Sequence, residues 1–273
     1  MLKFAALTPH PPIIIPEIGG KDSEKTKKTI VAMEKLSEEL KKTSPDTIIV
    51  ISPHGHIYPD RINVCGVGQL AGDLSQFGAV GLNFKFQNDL ELAGTLAQKA
   101  EENGVQTLLY DNSSSSFELD HGTIVPLYFL LKKLEKDVKI LPIAYSYQDK
   151  GLLFAFGEII QEVARKQKKN IALIASGDLS HRLIQTAPAG YSPSGKEFDK
   201  LIINYLKDKD IQVILEMDDD FIEEAGECGY RSILILIGVL SKIDFKPEIL
   251  SYEGPFGVGY AVVNFKIQNP NDK

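Results

Sequence analysis

The 273-residue sequence has few cysteines, no long hydrophobic run and no excess of positive charge. Two cysteines, Cys65 and Cys228, are too few for a disulfide-based scaffold. The longest apolar run, 233–239, is far shorter than the roughly 18 residues that a membrane helix needs. A net charge of −7 argues against a nucleic-acid-binding surface. We therefore expect neither a membrane nor a nucleic-acid partner.

The composition is that of an ordinary globular protein, with 43% hydrophobic and 25% charged residues. The length allows one large domain or two small ones, and no long linker divides the chain, so we expect a single domain over residues 1–273. The first residues lack the apolar core and cleavage site of a signal peptide, which predicts a cytoplasmic location. The acidic, ordinary surface composition allows a homo-oligomer.

Strand-like and helix-like segments alternate along the chain. Thr47–Ser52 and residues 171–175 are continuous apolar runs rich in β-branched residues, which is typical of strands buried on both faces of a parallel sheet. Further strands are predicted at 3–7, 107–110, 138–144, 247–253 and 260–267. Helices are predicted at 22–42, 89–103, 123–136, 152–168, 197–207 and 211–217, and a final helix follows the loop at 225–229 and ends at residue 240. A hairpin-like region at 61–86 indicates a mixed sheet, and polar loops are expected at 112–116 and 188–195. The pattern predicts an α/β protein, a three-layer α/β/α sandwich around a central, largely parallel sheet.

The five histidines fall beside strand ends rather than inside helices. His10, His54, His56 and His181 each follow a predicted strand within a few residues, and His121 lies where a loop meets a helix. Ligands of open α/β sheets bind outside the carboxyl ends of the strands. We therefore expect several of these histidines to share one site.

Imidazole can serve such a site as a metal ligand or as a general acid or base. Two histidines and a carboxylate form the facial triad of non-heme Fe(II) oxygen chemistry, and a similar set also binds Zn²⁺ in hydrolases, so the residues leave iron and zinc open. Glu227 and Cys228, in the loop before the last helix, both qualify as the third ligand. Glu227 alternatively serves as a first-turn carboxylate favoured by the helix dipole. Arg231 is a candidate anchor for an anionic substrate group or a partner in a surface salt bridge.

Four motifs resemble those of the class III extradiol ring-cleavage dioxygenases, the LigB family, in order and spacing over essentially the whole chain. They are Thr8-Pro9-His10-Pro11-Pro12, Ser52-Pro53-His54-Gly55-His56, Asp120-His121-Gly122 with Val125-Pro126-Leu127, and Gly177-Asp178-Leu179-Ser180-His181. The resemblance implies a LigB-like fold and Fe(II) held by two histidines and a glutamate. The substrates it implies are O2 and a small aromatic diol.

The resemblance also implies individual roles. His10 and His54 are the expected metal ligands, and His56 is the alternative to His54. With His54 as the ligand, His56 joins Arg231 among the expected substrate-binding residues. His181 is the expected base that deprotonates the catechol, and His121 the expected acid that assists ring cleavage.

Cys228-Gly229-Tyr230-Arg231 resembles, with one residue inserted, the Cys-Gly-Arg element of the related Memo proteins and of Memo-like proteins of the AmmeMemoRadiSam system. The sequence therefore supports a leading hypothesis and an alternative. The leading one is an Fe(II)-dependent extradiol dioxygenase that cleaves a catechol-like diol. The alternative is a Memo-like metal-binding protein with a regulatory or partner-binding role and no dioxygenase turnover. A zinc hydrolase is a third hypothesis.

Overall fold

A computed structural model describes residues 1–111 and 116–268. Most of the loop predicted at 112–116 lies outside these residues. The strands are β1 (Leu2–Thr8), β2 (Thr47–Ser52), β3 (Ile62–Cys65), β4 (Gln69–Leu74), β5 (Ala79–Gln87), β6 (Thr107–Tyr110), β7 (Phe117–Glu118), β8 (Lys139–Ala144), β9 (Ile171–Ser176), β10 (Phe245–Glu253) and β11 (Tyr260–Ile267). The helices are α1 (Pro16–Gly19), α2 (Lys27–Thr43), α3 (Leu90–Glu102), α4 (His121–Leu130), α5 (Lys150–Lys166), α6 (Pro193–Asp208), α7 (Ile211–Leu215), α8 (Asp219–Ala225) and α9 (Tyr230–Leu240).

Eight strands form the main sheet in the order β10-β11-β1-β9-β2-β8-β3-β6. Its centre, β1-β9-β2-β8, is parallel, whereas β11 runs antiparallel to β1 and β3 antiparallel to β8. A second, three-stranded sheet has the order β5-β4-β7. The predicted mixed sheet with a parallel centre is confirmed.

Helices cover both faces of the main sheet. Alternate residues of β2 divide between two cores: Ile49 and Ile51 pack with α3, α5 and α9, while Ile48 and Val50 pack with α2 and α4. Every residue of β2 is buried, as its uninterrupted apolar run predicts. These layers confirm the predicted α/β/α sandwich. In the described part of the chain, no helix has the length and apolar character needed to cross a membrane.

Several predicted boundaries were wrong for local reasons. The helix expected from residue 22 begins as 3-10 turns, Gly20–Thr26, in which the hydroxyls of Ser23 and Thr26 donate to carbonyls three residues earlier. The loop expected to extend to residue 195 ends at Ser192, which caps α6. The acidic run at 218–220, which lies between the predicted helix at 211–217 and the last one, starts a further helix, α8, because the Asp218 side chain caps it.

Candidate metal centre

The parallel centre of the sheet brings three histidine-bearing loops to one edge. Thr8, the last residue of β1, is paired with Ser176, the last residue of β9, and β2 lies on the other side of β9. His10 and His54 follow their strands by two residues, and His181 follows β9 by five. The carboxyl ends of these strands therefore present their loops to a common site, as expected for an open α/β sheet.

His10, His54 and His121 form a compact group, here called the histidine cluster. One nitrogen atom from each ring lies within 4.8 Å of the other two. The cluster runs from His10, which is only 2% exposed, to His54, which is at the surface. The Nε2 atoms of His10 and His54 are 3.0 Å apart and the two rings are nearly perpendicular, with 89° between their planes.

Asp120 links the segments that carry His54 and His121. Its carboxylate caps α4 by accepting a hydrogen bond from the backbone N–H of Thr123 (3.0 Å). The same carboxylate accepts from the Ser52 hydroxyl (2.5 Å) at the end of β2. The His54 backbone N–H donates to the same serine oxygen (3.2 Å). Because of this cap, α4 starts at His121, two residues before the predicted start. The His121 ring is stacked on that of His54, with ring centroids 4.2 Å apart.

All three rings of the cluster are expected to be neutral at pH 7. Burial is the main cause that lowers the pKa of His10 well below 6.5, and the neighbouring charges of His54, His121 and His181 add to it. Although His54 reaches the surface, the groups packed around its ring partly desolvate it, and this, followed by the charge of His121, lowers its pKa from 6.5. Burial also lowers the pKa of His121, against the opposing effect of Asp120. Neutral imidazoles keep a nitrogen lone pair available, which is the form that binds a metal ion.

The separation of His10 and His54 fits a single metal ion. Two nitrogens that are each about 2.1 Å from a metal and subtend a right angle lie about 3.0 Å from each other. The observed Nε2–Nε2 distance is the same, and in the metal-free protein it is an N–H···N hydrogen bond between the two rings. The His121 ring is stacked on that of His54, 26° from parallel, and one of its nitrogens also lies within 4.8 Å of a nitrogen of each of the other two rings. His10 and His54 are the pair whose spacing fits a single ion, and His121 is a third imidazole within reach of it.

Cys228 faces the histidine cluster from the loop before α9. Its sulfur is 3.7 Å from His10 Nε2 and accepts a hydrogen bond from the backbone N–H of Asp178 (3.3 Å). At the right angle that fits the two imidazoles, a nitrogen and a sulfur bound to one metal ion would lie about 3.1 Å apart, so the sulfur would have to move about 0.6 Å closer to act as a ligand. Burial, and then the charges of Asp178 and Glu227, raise the pKa of the thiol well above 9.0, so it is protonated at pH 7 without a cation.

The close approach of two glycines brings Cys228 to this position. A Cβ atom on Gly177 would lie 2.2 Å from the Cα of Gly229. The Cys228 backbone N–H donates to the Asp178 carbonyl (3.3 Å) and fastens the two loops together. Only glycine permits this backbone contact.

Glu227, in the same loop, and Arg231, in the first turn of α9, line a different surface. The Glu227 carboxylate accepts a hydrogen bond from the Tyr230 backbone N–H (2.5 Å) at the start of α9, and its other oxygen is 4.0 Å from the Arg231 guanidinium. Both residues line a cleft of about 540 Å³ whose lining, as far as the structure describes it, includes none of the histidines. Burial raises the pKa of Glu227 to about 7, against the Tyr230 hydrogen bond and the charge of Arg231. Glu227 is not in the first turn of α9, as the alternative predicted, because the helix starts at Tyr230 with Gly229 as its N-cap; its carboxylate instead accepts from the first helical N–H.

His181 stands beside the histidine cluster with a fixed tautomer. Its Nδ1 is 2.9 Å from the Gly226 carbonyl oxygen, which can only accept, so Nδ1 carries the proton and Nε2 does not. Nε2 is 4.0 Å from the buried Asp178 carboxylate. Burial lowers the pKa of His181, against the Gly226 hydrogen bond. The arrangement provides an unprotonated nitrogen that can accept a proton.

Three further aromatic contacts involve His56 and His121. The ring of His56 packs on Tyr110 and Phe117, with centroids 5.2 and 5.6 Å away, rather than on the histidine cluster. Phe77, in a 3-10 turn between β4 and β5, instead contacts His121, with ring centroids 5.2 Å apart. Sequence reasoning missed Phe77, because it belongs to the small sheet and no motif marks it.

Residues 4–263 match the family model described as the catalytic LigB subunit of aromatic ring-opening dioxygenase. The chain belongs to the LigB family. The resemblance predicted from its histidine motifs is thereby confirmed.

The relatives of this LigB-family chain include both a ring-cleaving dioxygenase and a MEMO1 family protein. Protein CA_C1420 of Clostridium acetobutylicum is 37% identical over 95% of this chain, which spans only 56% of that protein. The 3,4-dihydroxyphenylacetate 2,3-dioxygenase of Escherichia coli is 24% identical over 90% of this chain and 93% of its own length. A MEMO1 family protein of Methanosarcina barkeri is 28% identical over 55% of this chain and 53% of its own. The solved structure of uncharacterized protein JW3007 from E. coli K12 shares the fold, with a TM-score of 0.66 and 14% identity over 96% of this chain and 99% of its own.

Proposed function

We propose that His10 and His54 bind one Fe(II) ion and that the protein uses it to cleave a catechol-like aromatic diol with O2. The observation that carries the proposal is the perpendicular pair of neutral imidazoles with Nε2 atoms 3.0 Å apart. Membership of the LigB family and similarity to a dioxygenase of an aromatic diol support the reaction class. The donor atoms alone would also suit Zn²⁺.

The third ligand in this proposal is Cys228. Its sulfur already faces His10, whereas Glu227 would first have to give up its hydrogen bond to Tyr230. A bound ferrous ion would lower the pKa of a phenolic substrate and hold it beside O2.

The proton transfers are assigned to His181 and His121. His181 accepts the second phenolic proton at Nε2, because Nδ1–H is held by the Gly226 carbonyl. Burial raises the pKa of Asp178 to about 7, and its ionised form, 4.0 Å from Nε2, stabilises the imidazolium that forms. His121, stacked on His54, is neutral in the resting protein and serves as the acid only after it has itself been protonated, when its imidazolium donates a proton toward the oxygen released as the ring opens. These roles keep the acid and the base on separate loops.

The test is anaerobic loading with Fe(II), followed by exposure to air with catechol, 3,4-dihydroxyphenylacetate and 2-aminophenol. We expect O2 uptake equal to the ring-opened product formed with at least one diol. The variant Tyr110→Phe, outside the cluster, is the control.

A second candidate function is a Memo-like metal site without dioxygenase turnover. The thiol of Cys228, in place of a carboxylate beside His10, favours it, as does similarity to a MEMO1 family protein. Stoichiometric metal binding with no O2 uptake on any diol would reject ring cleavage and support this candidate.

A further inference from the structure

Two hydrogen bonds link the His10 ring to helix α4 through the hydroxyl of Ser176. They are possible because Pro126 leaves one carbonyl of that helix without its usual donor. A residue inside a helix donates its backbone N–H to the carbonyl four residues earlier. Pro126 has no N–H, so the Gly122 carbonyl lacks this helical donor. The hydroxyl of Ser176, at the end of β9, donates to that carbonyl at 2.6 Å instead.

This donation determines which nitrogen of His10 carries the proton. A serine hydroxyl has one hydrogen, and that of Ser176 is used at Gly122, so Oγ can only accept from His10 Nδ1, 2.9 Å away. Nδ1 is therefore protonated, and Nε2 keeps its lone pair and accepts from the Nε2–H of His54, 3.0 Å away. Ser176 is fully buried and His10 is 2% exposed, so water does not compete for these bonds.

We propose that Ser176 is the positioning residue that holds His10 in the Nδ1–H tautomer, and that it does so because Pro126 leaves the Gly122 carbonyl available. The consequence for metal binding rests on the proposed function, in which His10 Nε2 is a ligand. The tautomer itself is a property of the metal-free protein. Partners of a ligating histidine commonly change metal affinity by about 10- to 100-fold.

The experiment records the ring ¹⁵N shifts of His10 by NMR in the metal-free protein and measures Co(II) affinity separately. Wild type is expected to show Nδ1–H alone. Ser176→Ala is expected to show a mixture of tautomers and about tenfold weaker Co(II) binding, and Ser176→Thr, which keeps the hydroxyl, to restore both. Pro126→Ala supplies a competing N–H to Gly122 and is expected to shift the tautomer in the same direction.

Ser37→Ala is the matched control. Ser37 is also buried and its hydroxyl donates to a carbonyl of the same helix, that of Leu130 (2.9 Å). Its loss should lower stability and leave the His10 tautomer unchanged. An unchanged tautomer in Ser176→Ala would overturn the inference, and an unchanged tautomer in Pro126→Ala would overturn the part assigned to proline. Absence of O2 uptake in wild type would instead reject the proposed function and leave the tautomer result standing.

Discussion

The sulfur of Cys228 lies 3.7 Å from His10 Nε2, while the preceding side chain, Glu227, turns away to cap helix α9. Two adjacent residues that both carry metal-binding groups are thus assigned to opposite sides of one loop. The side that faces the histidines presents a thiol. The sequence leaves open whether Glu227 or Cys228 is the third metal ligand, and the experiments below ask whether the sulfur of Cys228 binds the metal.

The pH dependence of metal binding distinguishes a Cys228 ligand from a site made of imidazoles alone. The thiol pKa is raised well above 9.0, so a metal must displace its proton, and affinity should rise about tenfold per pH unit between about pH 7 and 9. The imidazole pKa values are lowered from 6.5, so the histidines are already neutral there and add no slope. Co(II) titrations at several pH values measure this.

Cys228→Ser should remove that slope and weaken binding, whereas Glu227→Ala should keep the slope. Glu227→Ala should lower the free energy of unfolding by about 1 kcal/mol, because α9 loses a hydrogen bond at its first turn. A wild-type affinity that is flat above pH 7 would rule out the thiolate ligand.

Gly177→Ala tests the contact that brings Cys228 to the histidines. The added methyl group would meet the Cα of Gly229, a backbone atom, at 2.2 Å, so the two loops must separate. We expect unfolding to be easier by about 1–3 kcal/mol and Co(II) binding to weaken. Chemical denaturation and metal titration measure the two effects.

Gly94→Ala is the control for that substitution. Gly94 lies inside α3 with nothing within 4 Å of an added Cβ, so alanine should stabilise the protein by about 0.5–1 kcal/mol without changing metal affinity. Equal metal affinity in Gly177→Ala and wild type would show that the glycine contact does not position the site.

His181→Ala should separate catalysis from metal binding. The ring accepts a proton but is not one of the proposed ligands, so turnover should fall by about 10²- to 10⁴-fold while the bound metal stays at the wild-type level. Metal analysis and O2 uptake on the same preparation provide both numbers. Full activity in the variant would remove His181 from the mechanism.

The sequence predicted the sheet and the place of the histidines because both depend on local patterns. Thr47–Ser52 is a buried strand with the predicted bounds, and His10 and His54 follow strands whose parallel pairing was expected. It did not predict the direction of side chains in the 226–229 loop, since that depends on the contact between Gly177 and Gly229, far apart in the chain. Nor did it reveal Ser176 beside His10 or Phe77 beside His121, which are tertiary contacts without a motif.

The most direct test of a metal centre at His10 and His54 is an anaerobic Fe(II) titration of the metal-free protein, followed by equilibrium dialysis and metal analysis. We predict one ion per chain in wild type and at least about tenfold weaker binding in His54→Ala, with His56→Ala, whose ring packs on Tyr110, binding as wild type does. No bound iron in wild type, or equal binding in His54→Ala, would contradict the account.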